Sequence, residues 1–292
     1  MSSYRLYHGD LKCSLKHLKD NSVQCIVTSP PYFGHRKYET VNPSKMEIGR
    51  ETSAQEYVEN LVSYLNCLKP KLKSTGLFWL NLGDTYRDSG LQLIPSRVAL
   101  ALVESGWILR SDVIWNKTNA MPSSVKNRPT VSHEYLFMFS KSSTYYYDSD
   151  SIREPHVTFS EKSKMKGGRG HFFVRNGTPE NGKNSGNANL HTGRWDQAFH
   201  PLGRNKRTVW EIPLGKFRGS HFAVFPEKLV DLCIRVSSKH GDLVLDPFTG
   251  SGTTGVVAIR SNRKFVGFEL YKKYKEMAEE RIRTECDSKN HH

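Results

Sequence analysis

The chain has few cysteines and no long apolar run. The cysteines are five and scattered, with no C-x-x-C pair among them: Cys13, Cys25, Cys67, Cys233 and Cys286. An odd number without ligand spacing argues against a disulfide framework and against a zinc site. No apolar stretch is long enough to cross a bilayer, and the polar segment Met1–Asp10 does not resemble a signal peptide. We therefore expect a metal-free, cytoplasmic protein.

Acidic residues are also in deficit. The 292 residues include 43 lysines and arginines against 29 acidic residues, which gives a net charge of +14. A surplus of this size attracts polyanions, among which nucleic acid is the commonest partner. Half of it lies in residues 151–207, which contain eleven basic and four acidic residues. Charge alone would also fit a solubilising surface, so the motifs must distinguish the two.

Short apolar segments alternate with amphipathic ones along the chain. Ser53 and Glu56 form a capping-box pattern before one helical period, and further helices are predicted near 94–104, 226–240 and 271–283. The predicted strands are Tyr4–His8, Val23–Thr28, Leu77–Leu82, Ile108–Trp115, Glu134–Phe139, Leu243–Asp246 and Lys264–Phe268. This alternation predicts an α/β fold with a doubly wound, mainly parallel sheet of seven strands.

Residues 148–207 interrupt this alternation. They are rich in Gly, Asn, Ser, Lys and Arg and have no sustained apolar period, which predicts a loop-rich basic insertion. The predicted organisation is therefore one α/β domain in two halves, residues 1–147 and 208–288, separated by an insertion at 148–207.

A glycine-rich turn follows the predicted strand Leu243–Asp246. Glycines let the backbone approach a ligand, and the amino end of the following helix offers unpaired N–H groups. Glu269 ends the next strand, where a carboxylate can accept hydrogen bonds from a ribose. A glycine turn alone would indicate only a loop, whereas strand, turn, helix, strand and acid together indicate a nucleotide-like cofactor. The predicted contact residues are Asp246, Pro247, Phe248, Gly250, Ser251, Gly252, Thr253 and Glu269.

A second motif, Ser29-Pro30-Pro31-Tyr32, follows the apolar strand Val23–Thr28. Two consecutive prolines fix the turn, so the Ser29 hydroxyl and the neighbouring carbonyls point in set directions. A rigid set of acceptors beside an aromatic ring suits a planar amine. A Pro-Pro turn with a surface tyrosine is the structural alternative.

Together, the two motifs resemble those of the DNA amino-methyltransferases. Ser-Pro-Pro-Tyr matches the catalytic motif of that family, residues Asp246–Thr253 match its cofactor loop, and their order matches the circularly permuted beta arrangement. The resemblance covers nearly the whole chain. It implies a Rossmann-like methyltransferase fold, S-adenosyl-L-methionine as cofactor and no metal. The serine at position 29 is typical of enzymes that methylate cytosine N4, whereas aspartate is typical of adenine N6 enzymes.

The resemblance also implies roles for residues outside the two motifs. It places Asp10 near the cofactor adenine, although Asp10 would equally cap the following helix. It places Phe222 against the cofactor, where an ordinary core position is the alternative. Asn81 and Asp84 would face the base from the end of a strand.

Methyl transfer to a paired base requires that the nucleotide be flipped out of the duplex. Ser29 and the Pro30 carbonyl would accept hydrogen bonds from the amino group, and Tyr32, supported by Phe33, would stack on the base. The candidate DNA contacts are Ser123, Arg128, Arg169, Arg175 and Arg194. The expected partners are double-stranded DNA and, in a restriction–modification system, a cognate restriction endonuclease.

Three alternatives remain open. The first is an adenine N6 methyltransferase of the same fold. The second is a methyltransferase that acts on protein glutamine or on RNA. The basic insertion argues against a protein substrate. The third is a non-catalytic DNA-binding protein, which the two intact motifs disfavour.

Overall fold

The computed structural model describes residues 3–34, 47–155, 200, 202–215 and 225–290. Ten strands occur in these ranges: β1 Tyr4–His8, β2 Val23–Thr28, β3 Leu72–Leu82, β4 Tyr86–Arg87, β5 Gly90–Leu91, β6 Ile108–Asn116, β7 His133–Ser140, β8 Val209–Glu211, β9 Leu243–Asp246 and β10 Lys264–Glu269. Strands β4 and β5 form a separate two-stranded hairpin.

The other eight strands form one sheet in the order β1-β10-β9-β2-β3-β7-β6-β8. Only β7 runs antiparallel to its neighbours β3 and β6, and the remaining pairs are parallel. The predicted mainly parallel α/β fold is therefore confirmed. The sheet has one strand more than predicted, because β8 is only three residues long and leaves too short a pattern to recognise in the sequence.

The order of the strands in the sheet differs from their order in the chain. Strands β9 and β10, which come last in the sequence, lie between β1 and β2. Cys25 on β2 pairs with Val244 on β9, and Ile26 pairs with Leu245. Because these strands are parallel, the segments that follow them emerge at the same edge of the sheet.

The described residues contain six α-helices: α1 Leu11–Ser14, α2 Ala54–Asn66, α3 Ile94–Glu104, α4 Glu227–Ser237, α5 Thr253–Arg260 and α6 Lys272–Asn290, the last of which follows the final strand. The predicted capping box is present at α2, where the Ser53 hydroxyl accepts from the Glu56 amide at 3.1 Å. The Glu56 carboxylate also accepts from the Thr52 amide at 3.0 Å and from the Thr52 hydroxyl at 2.8 Å. Helix α6 continues seven residues beyond its predicted end at Arg283.

Large apolar side chains fill the space between sheet and helices. Phe78, Trp107 and Phe139 pack against one another on one side of the sheet and are almost fully buried. Burial of each such side chain contributes about 1.5–3 kcal/mol of apolar transfer free energy. Trp79, on β3, donates from Nε1 to the Ser237 hydroxyl at 2.7 Å, which satisfies the polar atom of a buried indole.

The chain divides into two compact units, residues 149–206 and residues 1–148 with 207–292. In the smaller unit, Glu154 forms ion pairs with Arg204 and Lys206 at 3.2 and 2.8 Å. The larger unit contains the whole sheet. Within the described ranges, no helix combines the length and the apolar character needed to cross a membrane.

Candidate active site

A cavity of about 1100 Å³ opens at one edge of the sheet. Its walls include residues that end or follow the parallel strands β1, β2, β3, β9 and β10, together with the first residues of the antiparallel strand β7. Open α/β sheets bind their ligands at the carboxyl ends of the strands, where neighbouring connections separate to opposite faces. Segments that are far apart in the sequence therefore meet here.

The glycine-rich turn after β9 forms one wall. Gly250 and Gly252 both have positive φ angles, 52° and 84°. A Cβ atom on Gly252 would lie 2.9 Å from Cα and Cβ of Ala278, so this turn packs too closely against α6 for any side chain. The close packing fixes where the backbone of the turn meets the cavity. Of the residues predicted to contact a cofactor here, Gly252 alone does not line the cavity.

Asp246 connects the glycine-rich turn to the strand beside it. Its side chain is buried and accepts from the hydroxyls of Thr28 and Thr254 at 2.6 and 2.7 Å and from the Phe248 amide at 3.0 Å. Burial raises the pKa of the Asp246 carboxyl to about 6, against the lowering effect of these three hydrogen bonds. The Asp246 side chain thus holds the turn against β2 while it also lines the cavity.

Glu269 closes the same wall from the end of β10. Its carboxylate oxygens accept from the Gly250 amide at 2.8 Å and from the Tyr271 amide at 3.0 Å. Burial raises the pKa of the Glu269 carboxyl above its ordinary value. A carboxylate oxygen can accept more than one hydrogen bond, so Glu269 has capacity for a ligand hydroxyl.

Asp10 contributes both to the start of a helix and to the cavity wall. It is the N-cap of α1, where Oδ1 accepts from the Cys13 amide at 3.2 Å, and it also lines the cavity. Its second oxygen accepts from the Tyr64 hydroxyl at 2.7 Å, a contact that no local sequence signal indicates. With Glu47, Asp246 and Glu269, Asp10 gives this part of the cavity an acidic lining.

The segment Ser29–Tyr32 forms the facing wall. The Ser29 and Tyr32 hydroxyls lie 3.0 Å apart, and the Pro31 carbonyl accepts from the Tyr57 hydroxyl at 2.8 Å. A Cβ atom on Gly83 would lie 2.8 Å from the Tyr32 ring, so glycine at that position leaves room for the tyrosine. Phe33 does not line the cavity; it is buried in the core, where its ring packs against Tyr57.

Glu134 and Lys117 are cavity residues that the sequence did not single out. The Tyr32 hydroxyl donates to Glu134 Oε2 at 2.7 Å, and Lys117 Nζ contacts Glu134 Oε1 at 2.5 Å. The Asn81 amide donates both to the Tyr32 hydroxyl and to Glu134 Oε2. Burial, followed by the nearby Glu134 charge, holds the pKa of the Tyr32 phenol well above its ordinary value, so Tyr32 stays protonated.

Some of the residues predicted to contact DNA line the cavity, and the others lie outside the described residues. Asn81, Asp84, Ser123 and Arg128 line the cavity. Asp84 also accepts from the Ile94 amide at 3.1 Å at the start of α3, and the Arg128 guanidinium lies 3.2 Å from the centre of the Tyr86 ring. Arg169, Arg175 and Arg194 lie outside the described residues, as does Phe222; Phe225, three residues further on, lines the cavity.

The described parts of the chain contain no group of three or more His, Cys, Asp or Glu side chains arranged to hold a metal ion.

Comparison with known proteins identifies the family. Residues 23–280 match the family model described as DNA methylase. The type II methyltransferase M.Cfr9I of Citrobacter freundii is 38% identical over 96% of this chain and 88% of its own length. The PvuII DNA methyltransferase (cytosine-N4-specific) has a similar structure, with a TM-score of 0.68 and 22% identity over 99% of this chain and 92% of its own. TTHA0409 from Thermus thermophilus, complexed with S-adenosyl-L-methionine, has a TM-score of 0.62 and 24% identity over 97% of this chain and 94% of its own.

The fold and the cavity define an α/β enzyme with a cofactor-type glycine turn facing a Ser-Pro-Pro-Tyr segment. The chain belongs to the DNA methylase family and is a DNA methyltransferase.

Proposed function

We propose that this enzyme transfers the methyl group of S-adenosyl-L-methionine to N4 of a cytosine flipped out of duplex DNA, within a restriction–modification system. The main support is that the glycine-rich turn and the Ser29–Tyr32 segment line one cavity. The 2.6 Å hydrogen bond from Thr28 to Asp246 joins the bases of these two walls. A methyl donor held by one wall and a nucleobase held by the other would therefore lie in the same cavity.

The wall formed by residues 246–253 suits S-adenosyl-L-methionine. The carboxylates of Asp10, Asp246 and Glu269 favour a cation, and Glu269 can accept from ribose hydroxyls. Pro247, Phe248, Gly250, Ser251 and Thr253 complete the proposed cofactor surface. The positive φ angles of Gly250 and Gly252 shape the backbone of the turn. When bound, this cofactor supplies a positively charged sulfonium whose methyl group is electrophilic.

The facing wall would hold the amine that attacks that methyl group. The lone pair of an exocyclic amino nitrogen is delocalised into the base, which makes the nitrogen a weak nucleophile. Ser29 Oγ and the Pro30 carbonyl would accept its N–H hydrogens and favour a more tetrahedral nitrogen with an available lone pair. Pro31 keeps the turn rigid and Tyr32 would stack on the base, so orientation and hydrogen bonding provide most of the catalysis.

DNA would bind around the mouth of the cavity. Ser123 and Arg128 belong to the segment between β6 and β7 that lines it, and Asn81 and Asp84 lie at the end of β3. Lysine and arginine side chains neutralise phosphates without regard to sequence. The insertion at 148–207, with Arg169, Arg175 and Arg194, is the proposed source of base recognition.

Cytosine N4 is proposed as the target because the motif begins with Ser29 and because a structural relative is named as cytosine-N4-specific. The direct test is to incubate the enzyme with mixed-sequence duplex DNA and labelled cofactor, digest the DNA to nucleosides and identify the methylated one by mass spectrometry. N4-methyldeoxycytidine is the expected product. N6-methyldeoxyadenosine would establish the alternative target, and an unmethylated digest would overturn the proposal.

A further inference from the structure

Glu134 receives three hydrogen bonds inside the cavity. Lys117 Nζ lies 2.5 Å from Oε1, whereas the Tyr32 hydroxyl and the Asn81 amide donate to Oε2 at 2.7 and 2.6 Å. The side chains of Glu134 and Lys117 are only 14% and 18% exposed. With three donors directed at its two oxygens, this partly buried carboxylate acts as an acceptor in every one of these contacts.

This arrangement fixes the direction of the hydrogen bonds that lead to Ser29. A phenol has one hydrogen, and that of Tyr32 is donated to Glu134. The Tyr32 oxygen can then only accept in its 3.0 Å contact with Ser29, so Ser29 must be the donor. The hydroxyl hydrogen of Ser29 is therefore directed towards Tyr32, and its remaining lone pairs are available to a ligand in the cavity.

The direction matters chemically. A serine that accepts an N–H from the substrate amine frees the nitrogen lone pair, whereas a serine that donates its hydrogen to that nitrogen would occupy the lone pair that must attack. A reversed chain of hydrogen bonds would leave Ser29 correctly placed and wrongly polarised.

We infer that Glu134, held by Lys117, is a positioning residue that polarises the chain Ser29–Tyr32–Glu134 so that Ser29 presents an acceptor to the substrate amine. This inference rests on the proposed function of the same site. The fold supplies the geometry, because Trp115 pairs with Glu134 and Asn116 with His133 on neighbouring antiparallel strands. This register brings Lys117, just past the end of β6, beside the carboxylate.

Replacing Glu134 with glutamine changes the hydrogen-bonding polarity of the side chain without changing its size. In Glu134→Gln the side chain keeps its size, but its amide can donate to Tyr32 and so allow the chain to reverse. We expect kcat to fall about 10- to 100-fold, the range for loss of a hydrogen bond to a charged group. The KM for DNA and the affinity for S-adenosyl-L-methionine should stay within about twofold. Glu134→Asp keeps the charge and should retain more activity than the glutamine variant.

A double-mutant cycle with Tyr32→Phe shows whether Glu134 acts through the phenol. Once the hydroxyl is gone, adding Glu134→Gln should change kcat less than about threefold. Equal losses in both backgrounds, a kcat for Glu134→Gln at the parent level, or a more active glutamine than aspartate variant would overturn the inference.

Asp242→Asn is the matched control. Asp242 is a partly exposed carboxylate that pairs with Lys73 at 2.9 Å and does not line the cavity, so this variant should keep the parent kcat. The methylation activity of the parent enzyme distinguishes a failure of the proposed function from a failure of the inference about Glu134. If it methylates no DNA, the proposed function fails; if it methylates DNA and the cycle is additive, only the role of Glu134 fails.

Discussion

Thr28 donates a 2.6 Å hydrogen bond to Oδ1 of Asp246, a residue 218 positions further along the chain. Both side chains are buried, and they lie at the carboxyl ends of the neighbouring parallel strands β2 and β9. One strand leads into the Ser29–Tyr32 segment and the other into the glycine-rich turn. The bond therefore fixes the spacing between the two walls of the cavity.

Replacing Thr28 with valine tests this connection. Valine keeps the branched shape but leaves one oxygen of Asp246 without that donor, so we expect the free energy of unfolding to fall by about 1–3 kcal/mol. The affinity for S-adenosyl-L-methionine should fall as well, because the turn loses its anchor. Urea denaturation and calorimetric titration measure the two effects. Parent values in both measurements would show that the bond is dispensable.

Asp246 should make stability depend on pH. Its carboxyl has a pKa of about 6 in the folded protein instead of 3.8, so the folded state binds this proton more tightly than the unfolded chain. The resulting stabilisation is complete below the unfolded pKa and is lost as the pH rises through about 6. Asp246→Asn removes this titration.

The parent's unfolding free energy, relative to that of Asp246→Asn, should therefore fall by about 2–2.5 kcal/mol between about pH 4 and pH 7, at roughly 1.4 kcal/mol per pKa unit. Denaturation curves at intervals of about one pH unit measure it. Parallel stability profiles for the two proteins would contradict the raised pKa.

Ser29→Ala and Tyr32→Ala should each reduce methyl transfer by roughly 100-fold or more, because each removes a group that would orient the amine or the base. Cofactor affinity should be spared, since the glycine-rich turn is untouched. Incorporation of tritiated methyl groups into duplex DNA measures the first effect and equilibrium binding the second. Tyr147→Ala, at a position outside the cavity, is the control and should behave as the parent. Incorporation equal to that of the parent in either site variant would refute its role.

Gly252→Ala should destabilise the protein more than Gly241→Ala. Both glycines have similar positive φ angles, 84° and 81°, so both substitutions carry about 1–2 kcal/mol of backbone strain. Only at position 252 would the new Cβ atom clash, at 2.9 Å from Ala278, whereas nothing lies within 4 Å at position 241. Unfolding free energies of the two variants measure the difference. Equal losses would mean that the turn has room to move away from α6.

Arg128→Ala should weaken DNA binding and reduce its dependence on salt. If Arg128 contacts a phosphate, the slope of log K against log salt should become smaller in magnitude by about 0.9. Fluorescence anisotropy of labelled duplex DNA over a salt series measures the slope. Lys264→Ala, at an exposed position at the amino end of β10, is the matched control. An unchanged slope for Arg128→Ala would remove this residue from the interface.

The sequence by itself determined the class of fold and the two motifs. Strands and helices leave periodic patterns within a few residues, which is why β2, β9 and the capping box of α2 could be predicted where they occur. Ser29–Tyr32 and Asp246–Thr253 are continuous segments, so each motif can be recognised without knowing which residues it contacts in the fold. Even their meeting at one edge of the sheet follows from parallel strands.

Tertiary structure alone decided which distant side chains complete the cavity. Glu134 lies 102 positions from Tyr32, and Tyr64 lies 54 positions from Asp10. These contacts depend on the order and register of whole strands and on which face of a helix meets the sheet. Neither is encoded in the residues next to the contact, because a shift of one position in register turns a strand's side chains to the opposite face.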